Sequence, residues 1–164
     1  MNKASVKLKK IQELCLSKNI TISTAESCTG GYLSKLLTDI SGSSKFYVGS
    51  VTAYSNSVKN ELLNVPNDIL EKYGAVSKEV SLLMAEGIFK CIKSQIAIST
   101  TGVMELDSST GSKKPQVFIT IKSEKTHVSS HFYLHEERDT NRKKTVNHAL
   151  DCLYDFINNH YLVS

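Results

Sequence analysis

A serine and two glycines stand at the start of a predicted helix in this chain of 164 residues. Ser27 follows a run of apolar and β-branched residues that predicts a strand over 20–25, and Gly30 and Gly31 precede helical spacing over 32–40. Ligands bind where loops leave the carboxyl ends of strands in an open α/β sheet. A helix N-terminus also offers unpaired N–H groups for an anion or a developing oxyanion. These residues therefore predict a nucleophile or an anion site.

Two familiar glycine-rich motifs do not fit this segment. No G-K-[ST] closes it, so it is not a phosphate-binding P-loop, and the residues around Ser27 do not read G-x-S-x-G. A structural helix cap rich in serine and threonine would give the same local pattern. The residues alone leave both a reactive serine and a structural cap open.

A longer run of residues carries a family resemblance. Residues 24–31 read T-A-E-S-C-T-G-G, which resembles the signature of the CinA C-terminal domain family. Residues 37–44, 54–63 and 74–77 resemble three further family motifs in the same order, and the resemblance covers about residues 5–160. Enzymes of that family are nicotinamide-nucleotide amidohydrolases. The resemblance implies hydrolysis of the carboxamide of nicotinamide mononucleotide, with release of ammonia and without a cofactor.

Hydrolysis of an amide by Ser27 requires a base, because a free hydroxyl is a weak nucleophile. No histidine lies near the motif, and the resemblance points to Lys59. If Ser55 or Asn56 caps the next helix, Lys59 falls in the first turn, where the helix dipole disfavours a positive charge. Tyr54 could orient Lys59 or relay a proton. We predict Ser27, Lys59 and Tyr54 as the catalytic residues.

Cys28 is an alternative nucleophile, since a thiol at a helix N-terminus has a lowered pKa. Glu26 is expected to hold backbone amides of the turn and to transfer no proton. The substrate is expected to contact residues of this turn, the end of the third strand and the last helix. The predicted substrate-binding residues are Cys28, Thr29, Gly30, Gly31, Thr101, Gly102, Arg138 and Arg142.

The two arginines near the start of the last predicted helix resemble a D-R-x-x-x-R stretch of the family. Arg138 or Arg142 could bind the substrate phosphate through two parallel hydrogen bonds. An ion pair with Asp139 or Glu137 would explain the same arginines without a ligand. We expect Arg142 to be the stronger candidate for a ligand contact.

One segment departs from the family pattern. After Gly102 the family carries a glycine-rich loop, whereas residues 103–112 here hold few glycines and include Glu105 and Asp107. Carboxylates facing the pocket would repel a phosphate. This departure keeps a second function open, a protein that binds a nucleotide without efficient turnover. A nucleic-acid accessory role finds no support in a net charge of only +4 with dispersed lysines.

Composition and periodicity predict one α/β domain over residues 1–164, in a stand-alone form. The expected architecture is a three-layer α/β/α fold with a mixed, mostly parallel sheet of about five strands. The predicted strands cover residues 20–25, 46–54, 96–101, 117–121 and 128–134. The predicted helices cover residues 3–17, 32–40, 56–63, a short stretch after Pro66, 77–93 and 139–161, and residues 104–114 are predicted as a loop.

The sequence also bears on metals, membranes and partners. None of the four cysteines forms a C-x-x-C pair, and His127, His131 and His135 lie on a predicted strand, where a four-residue step spans about 13 Å. We therefore predict no metal site. No apolar run approaches a membrane span. The expected setting is the cytoplasm, with a nucleotide substrate, no nucleic acid, no membrane and, by resemblance, a homo-oligomer.

Overall fold

The computed structural model describes residues 3–106 and 114–161. Five strands alternate with six helices and one short 3₁₀ turn at Ser43–Lys45. The strands are β1 (Ile22–Glu26), β2 (Tyr47–Thr52), β3 (Ile96–Val103), β4 (Gln116–Lys122) and β5 (His127–Tyr133). The helices are α1 (Lys3–Lys18), α2 (Tyr32–Thr38), α3 (Asn56–Leu63), α4 (Asn67–Tyr73), α5 (Lys78–Cys91) and α6 (Arg138–Tyr161).

Local capping residues fix the ends of three helices. The Ser55 hydroxyl accepts a hydrogen bond from the N–H of Val58 and begins α3, and the Ser77 hydroxyl does the same for Val80 and α5. Gly74 ends α4 with a positive φ of 78°. Of the two residues expected to cap α3, Ser55 and Asn56, Ser55 is the cap.

The five strands form one sheet in the order β2-β1-β3-β4-β5. β1 pairs in parallel with both β2 and β3, while β3 with β4 and β4 with β5 are antiparallel. Only β4 therefore runs against the other four strands. The predicted mixed sheet of five strands is confirmed.

Each face of the sheet is covered by three helices, which completes the three layers. On one face α1, α2 and α6 bury side chains such as Ile11, Leu33 and Leu150 against the sheet. On the other face α3, α4 and α5 form a smaller core that includes Leu63 and Met84. Burial of these apolar side chains is the main stabilising contribution to the fold.

Some element ends differ from the sequence prediction. β3 continues through Val103, two residues past the predicted end, because antiparallel pairing with β4 satisfies its backbone as far as Gln116. Of the predicted loop 104–114, residues 107–113 lie outside the described residues. In the ranges 3–106 and 114–161 no helix is long and apolar enough to cross a bilayer.

Candidate active site

Ser27 directly follows β1, which lies between the parallel strands β2 and β3. Its backbone N–H donates to the carbonyl of Thr100 at 2.9 Å, and the N–H of Ala53 donates to the carbonyl of Glu26 at 2.7 Å. The residues that follow β1 and β2 therefore lie next to each other, with Ser27 beside Thr100 of β3. Ser27 is 7% exposed, so it is a buried serine at the carboxyl edge of the sheet.

The carboxylate of Glu26 occupies the N-terminus of α2. It is fully buried and accepts hydrogen bonds from the N–H groups of Gly31, Leu33 and Ser34 at 3.1, 3.0 and 2.7 Å. The hydroxyls of Thr29 and Ser34 donate to it as well. The expectation that Glu26 holds backbone amides of the turn is confirmed.

The same contacts correct the expectation of an open anion site at this helix. The N–H groups of α2 that point along its axis are already satisfied by a side chain of the protein, and its charge compensates the helix dipole. An external anion therefore cannot use them. Gly30 and Gly31 have φ values of 60° and 93°, so the turn needs glycine for its left-handed backbone.

Lys59 is buried, with only 1% of its surface exposed. Its ammonium group donates to the backbone carbonyl of Tyr54 at 3.0 Å, and no carboxylate within residues 3–106 or 114–161 forms an ion pair with it. Burial lowers the pKa of Lys59, and a weaker attraction from Cys28 opposes that shift. This supplies a physical cause for a neutral amine, in addition to its place in the first turn of α3.

Tyr54 is 63% exposed and links two elements of the site. Its carbonyl accepts from Lys59, while its hydroxyl accepts from the guanidinium of Arg138 at 3.0 Å. Arg138 is the first residue of α6, so this contact joins the end of β2 to the last helix. Arg138 therefore contacts a predicted catalytic residue.

Cys28 and Thr29 point into the protein. Cys28 is 5% exposed in the larger apolar core, and burial raises the pKa of its thiol to about 12. This contradicts the expected lowered pKa and removes the basis for Cys28 as a nucleophile. Thr29 is also buried, and its hydroxyl contacts Glu26 at 2.6 Å and Thr100 at 2.7 Å. Both side chains brace the turn beneath Ser27.

Ser27 and Lys59 lie on adjoining segments, but their reactive groups are not hydrogen-bonded to each other. Within the described residues no side chain donates to or accepts from the Ser27 hydroxyl, and Lys59 donates to Tyr54. Lys59 interacts electrostatically with Cys28, the residue that follows Ser27. Direct contact between the hydroxyl and the amine therefore stays a prediction.

A cleft of about 310 Å³ opens beside the glycine turn. Arg142 lines it, and within residues 3–106 and 114–161 its buried Nε has no hydrogen-bond partner. Lys35 and Asp139 line it as well; both were missed from the sequence, although Lys35 sits one helical turn after Gly31. Asp139, which was the alternative ion-pair partner for Arg142, instead forms an ion pair with Lys143 at 2.6 Å. The lining residues are Thr29, Gly30, Gly31, Tyr32, Lys35, Asp139 and Arg142.

Thr101 and Gly102 make structural contacts in and beside the sheet. The Thr101 hydroxyl donates to the carbonyl of Ala75 at 2.7 Å. A Cβ at Gly102 would lie 2.5 Å from the carbonyl oxygen of Gln116, so close strand pairing requires glycine there. These contacts explain both residues without a ligand, and their predicted substrate contact stays a prediction.

The segment that departs from the family begins in a well-anchored position. Met104 is buried, and its carbonyl accepts from the side-chain amide of Asn141 at 2.7 Å. Glu105 is exposed, while Asp107 lies outside the described residues. The start of this segment is therefore held by α6, next to Arg142.

The three histidines considered as metal ligands, at positions 127, 131 and 135, do not form a metal-binding cluster. His131 stacks on Phe118 with ring centroids 4.2 Å apart and hydrogen-bonds Gln116. Across residues 3–106 and 114–161 no group of three or more His, Cys, Asp or Glu side chains could hold a metal ion.

Comparison with known proteins places this arrangement in a family. Residues 5–157 match the model of the CinA C-terminal domain. A "CinA-like protein" of Cytophaga hutchinsonii is 40% identical over 136 residues, which cover 82% of this chain and 32% of that protein. A "CinA-like protein" of Dictyoglomus thermophilum is 45% identical over 103 residues, covering 63% of this chain and 25% of that one. The chain thus spans about a third or less of the length of these relatives.

Solved structures agree on the fold. The competence damage-inducible protein A (ComA) of Klebsiella pneumoniae superposes with a TM-score of 0.92 at 23% identity, covering 98% of this chain and 100% of that one. The competence/damage inducible protein CihA of Agrobacterium tumefaciens gives a TM-score of 0.83 at 28% identity and covers 93% of each chain.

Proposed function

The chain belongs to the CinA C-terminal domain family, and from that premise we propose that it hydrolyses the carboxamide of nicotinamide mononucleotide or a close pyridine nucleotide. The products are the corresponding acid and ammonia. Ser27 is the nucleophile and Lys59 is the base. The reaction needs no metal and no cofactor.

The observation that carries this proposal is the burial of Lys59. A lysine that is 1% exposed, with a carbonyl oxygen as its hydrogen-bond acceptor, loses the solvation that keeps an amine protonated. A surface lysine with an ordinary pKa could not accept a proton near neutral pH. Lys59 lies in α3, the helix that follows β2, and interacts electrostatically with Cys28, the residue after Ser27, which supports its proposed role as the base.

The proposed reaction proceeds in two halves. Neutral Lys59 takes the hydroxyl proton as the Ser27 oxygen attacks the carboxamide carbon, and the resulting ammonium then protonates the leaving nitrogen to release ammonia. Water attacks the ester that remains, with Lys59 again accepting a proton. Cleavage of the ester returns the proton to Ser27 and releases the acid. The proposed reaction requires the Lys59 amine to leave the Tyr54 carbonyl and to reach the Ser27 hydroxyl.

The oxyanion formed during this attack needs donors other than α2. Glu26 takes the N–H groups of Gly31, Leu33 and Ser34. The N–H groups of Cys28 and Thr29 donate to no backbone carbonyl or carboxylate of the described residues. We assign the oxyanion to these two N–H groups, directly after the nucleophile.

The cleft beside the glycine turn suits the phosphate of the substrate. Among the described residues the Nε of Arg142 has no hydrogen-bond partner, and Lys35, which also lines the cleft, forms an ion pair with Asp39 that it would exchange for the phosphate. Replacement of Arg142 by methionine should raise the KM for the nucleotide and leave the KM for the nucleoside without phosphate unchanged. An equal change for both compounds would place the phosphate elsewhere.

The decisive measurement is ammonia release from nicotinamide mononucleotide by the purified chain. Ser27→Ala should lower kcat by about 1000-fold or more, because the nucleophile is lost. Ser41→Ala, an exposed serine beyond the end of α2, is the matched control and should leave the rate unchanged. Equal rates for the Ser27→Ala variant and the wild type would rule out the serine mechanism.

A second function is favoured by one observation. Lys59 donates to Tyr54 and not to Ser27, which is the arrangement of a protein that binds a nucleotide without efficient turnover. In that case the nucleotide would raise the melting temperature of the chain while no ammonia appears. Thermal stabilisation together with ammonia release lost in Ser27→Ala would favour the hydrolase over this alternative.

A further inference from the structure

β5 forms one edge of the sheet, and its outward backbone groups can be identified. The N–H of Leu134 donates to the carbonyl of Pro115, and the N–H of Ser123 donates to the carbonyl of Thr126, so even-numbered residues of the strand face β4. In an antiparallel ladder the inward and outward residues alternate. The residues whose N–H and C=O groups point away from the sheet are therefore His127, Ser129, His131 and Tyr133.

This edge carries none of the devices that prevent strands from pairing between molecules. His127–Tyr133 contains no lysine, proline, glycine or carboxylate, and its pairing with β4 runs without a register shift. The opposite edge differs, because β2 contains Gly49 and the β1–β2 pairing shifts register between Ile22 and Ser23. Among the described residues no further strand pairs with β5, so this seven-residue edge strand is a template for another strand.

The sequence of β5 is complementary to itself when two copies run antiparallel. With Ser130 on a two-fold axis, the outward residues pair with outward residues: His127 with Tyr133 and Ser129 with His131, giving about eight backbone hydrogen bonds. Val128 then lies opposite Phe132 on the other face. Cross-strand pairs of aromatic, β-branched and hydroxyl side chains stabilise a sheet, and no pair here brings two carboxylates or two lysines together.

The exposure of side chains on and beside β5 also supports pairing with a second copy of this chain. Val128 is 48% exposed and Tyr133 is 52% exposed, while His131 stacks on Phe118 and meets Tyr133 edge-on at 5.0 Å. An aromatic strip beside an open strand edge would be covered by the identical strip of a second copy. We propose that β5 pairs antiparallel with β5 of a second copy of this chain, forming a continuous ten-stranded sheet.

Two exposed valines on the two edge strands provide a matched test. Val128→Lys places a charge opposite Phe132 of the second copy twice per dimer, and should weaken dimerisation by about tenfold or more. Val48 on β2 is 50% exposed, so Val48→Lys is the control and should dimerise as the wild type does. Sedimentation velocity over a wide range of concentrations measures both, with circular dichroism to show that each variant is folded.

A cysteine on the proposed axis tests the register itself. Ser130→Cys should form a disulfide between two chains on mild oxidation, because residues in a pair without hydrogen bonds have Cα atoms about 4.5 Å apart. Cys152 must be replaced by serine in this variant, since its sulfur lies 3.6 Å from the Ser130 hydroxyl, and exposed Cys91 is replaced as well. Ser50→Cys on β2 in the same background should give no linked dimer.

A wild-type chain that stays monomeric at all concentrations would overturn the proposal. So would a dimer that survives Val128→Lys but is lost in Val48→Lys, because that result would assign the contact to β2. Linked dimers from Ser50→Cys and none from Ser130→Cys would have the same consequence.

Discussion

The guanidinium of Arg138 donates a hydrogen bond of 3.0 Å to the hydroxyl of Tyr54, although 84 residues separate them in the chain. The carbonyl of the same tyrosine accepts from Lys59. One residue therefore connects the last helix with the proposed base. Arg138 acts in the proposed reaction by positioning Tyr54.

Arg138→Met and Tyr54→Phe should each lower kcat by about tenfold, because each removes the same hydrogen bond to a charged donor. The double variant should be no slower than either single variant, which is the mark of a shared effect. Steady-state ammonia release by the four proteins measures this. A different result would show that Arg138 contacts the phosphate directly. In that case the losses in the two single variants would multiply in the double variant, and KM would rise for the nucleotide but not for its nucleoside.

Lys59→Met should lower kcat by about 1000-fold while leaving the fold as stable as before, or more stable. Methionine has a similar length and burying it costs no charge, whereas Lys59 is 1% exposed. Ammonia release and thermal unfolding are measured on the same sample. Lys90→Met, on the exposed side of α5, is the control and should change neither quantity. Unchanged turnover in Lys59→Met would exclude this lysine as the base.

The rate should rise with pH as Lys59 loses its proton, with a midpoint below its ordinary pKa of 10.5, because burial lowers the pKa of this group. The free energy of unfolding should also rise with pH. The unfolded chain keeps the proton up to higher pH than the folded chain does, so the free energy of unfolding rises between the two pKa values. Profiles of kcat/KM and of urea unfolding against pH measure both effects, and Lys59→Met should flatten the unfolding profile in that window.

Cys28→Ala should retain most of the activity and lose about 1 kcal/mol of stability through a small cavity. The thiol is 5% exposed, and burial raises its pKa to about 12, so it is protonated at neutral pH. Iodoacetamide should therefore label exposed Cys91 in the folded chain and reach Cys28 only after unfolding. Mass spectrometry of the labelled peptides decides this, and rapid labelling of Cys28 with parallel loss of activity would contradict the serine assignment.

Glu26→Ala should lower the free energy of unfolding by about 3 kcal/mol, and the melting temperature by about 10 °C. The carboxylate accepts from three buried or partly buried N–H groups at the N-terminus of α2, and alanine would leave them without this acceptor. Calorimetry measures the loss, with Glu71→Ala on the exposed side of α4 as the control. A loss confined to activity, with stability unchanged, would mean that Glu26 acts in the chemistry.

The amino-acid sequence alone determined the elements and the family. Capping serines 55 and 77 and Gly74 mark helix ends by local hydrogen bonding and backbone conformation, which neighbouring residues dictate. The motif at residues 24–31, together with the three further motifs in the same order, identified the family, and the match to the family model confirmed it. The alternation of strands and helices likewise gave the three-layer architecture.

Only the tertiary structure decided what each polar group of the motif contacts. The sequence places Cys28 at a helix N-terminus, where a lowered pKa is expected, but packing of α2 against the core buries the thiol and reverses the shift. The sequence shows Glu26 next to Ser27, but it does not reveal that this carboxylate accepts the N–H groups at the N-terminus of α2. Arg138 and Tyr54 meet because α6 returns to the edge where β2 ends. Burial and long-range contacts set charge states, and both depend on packing between distant segments.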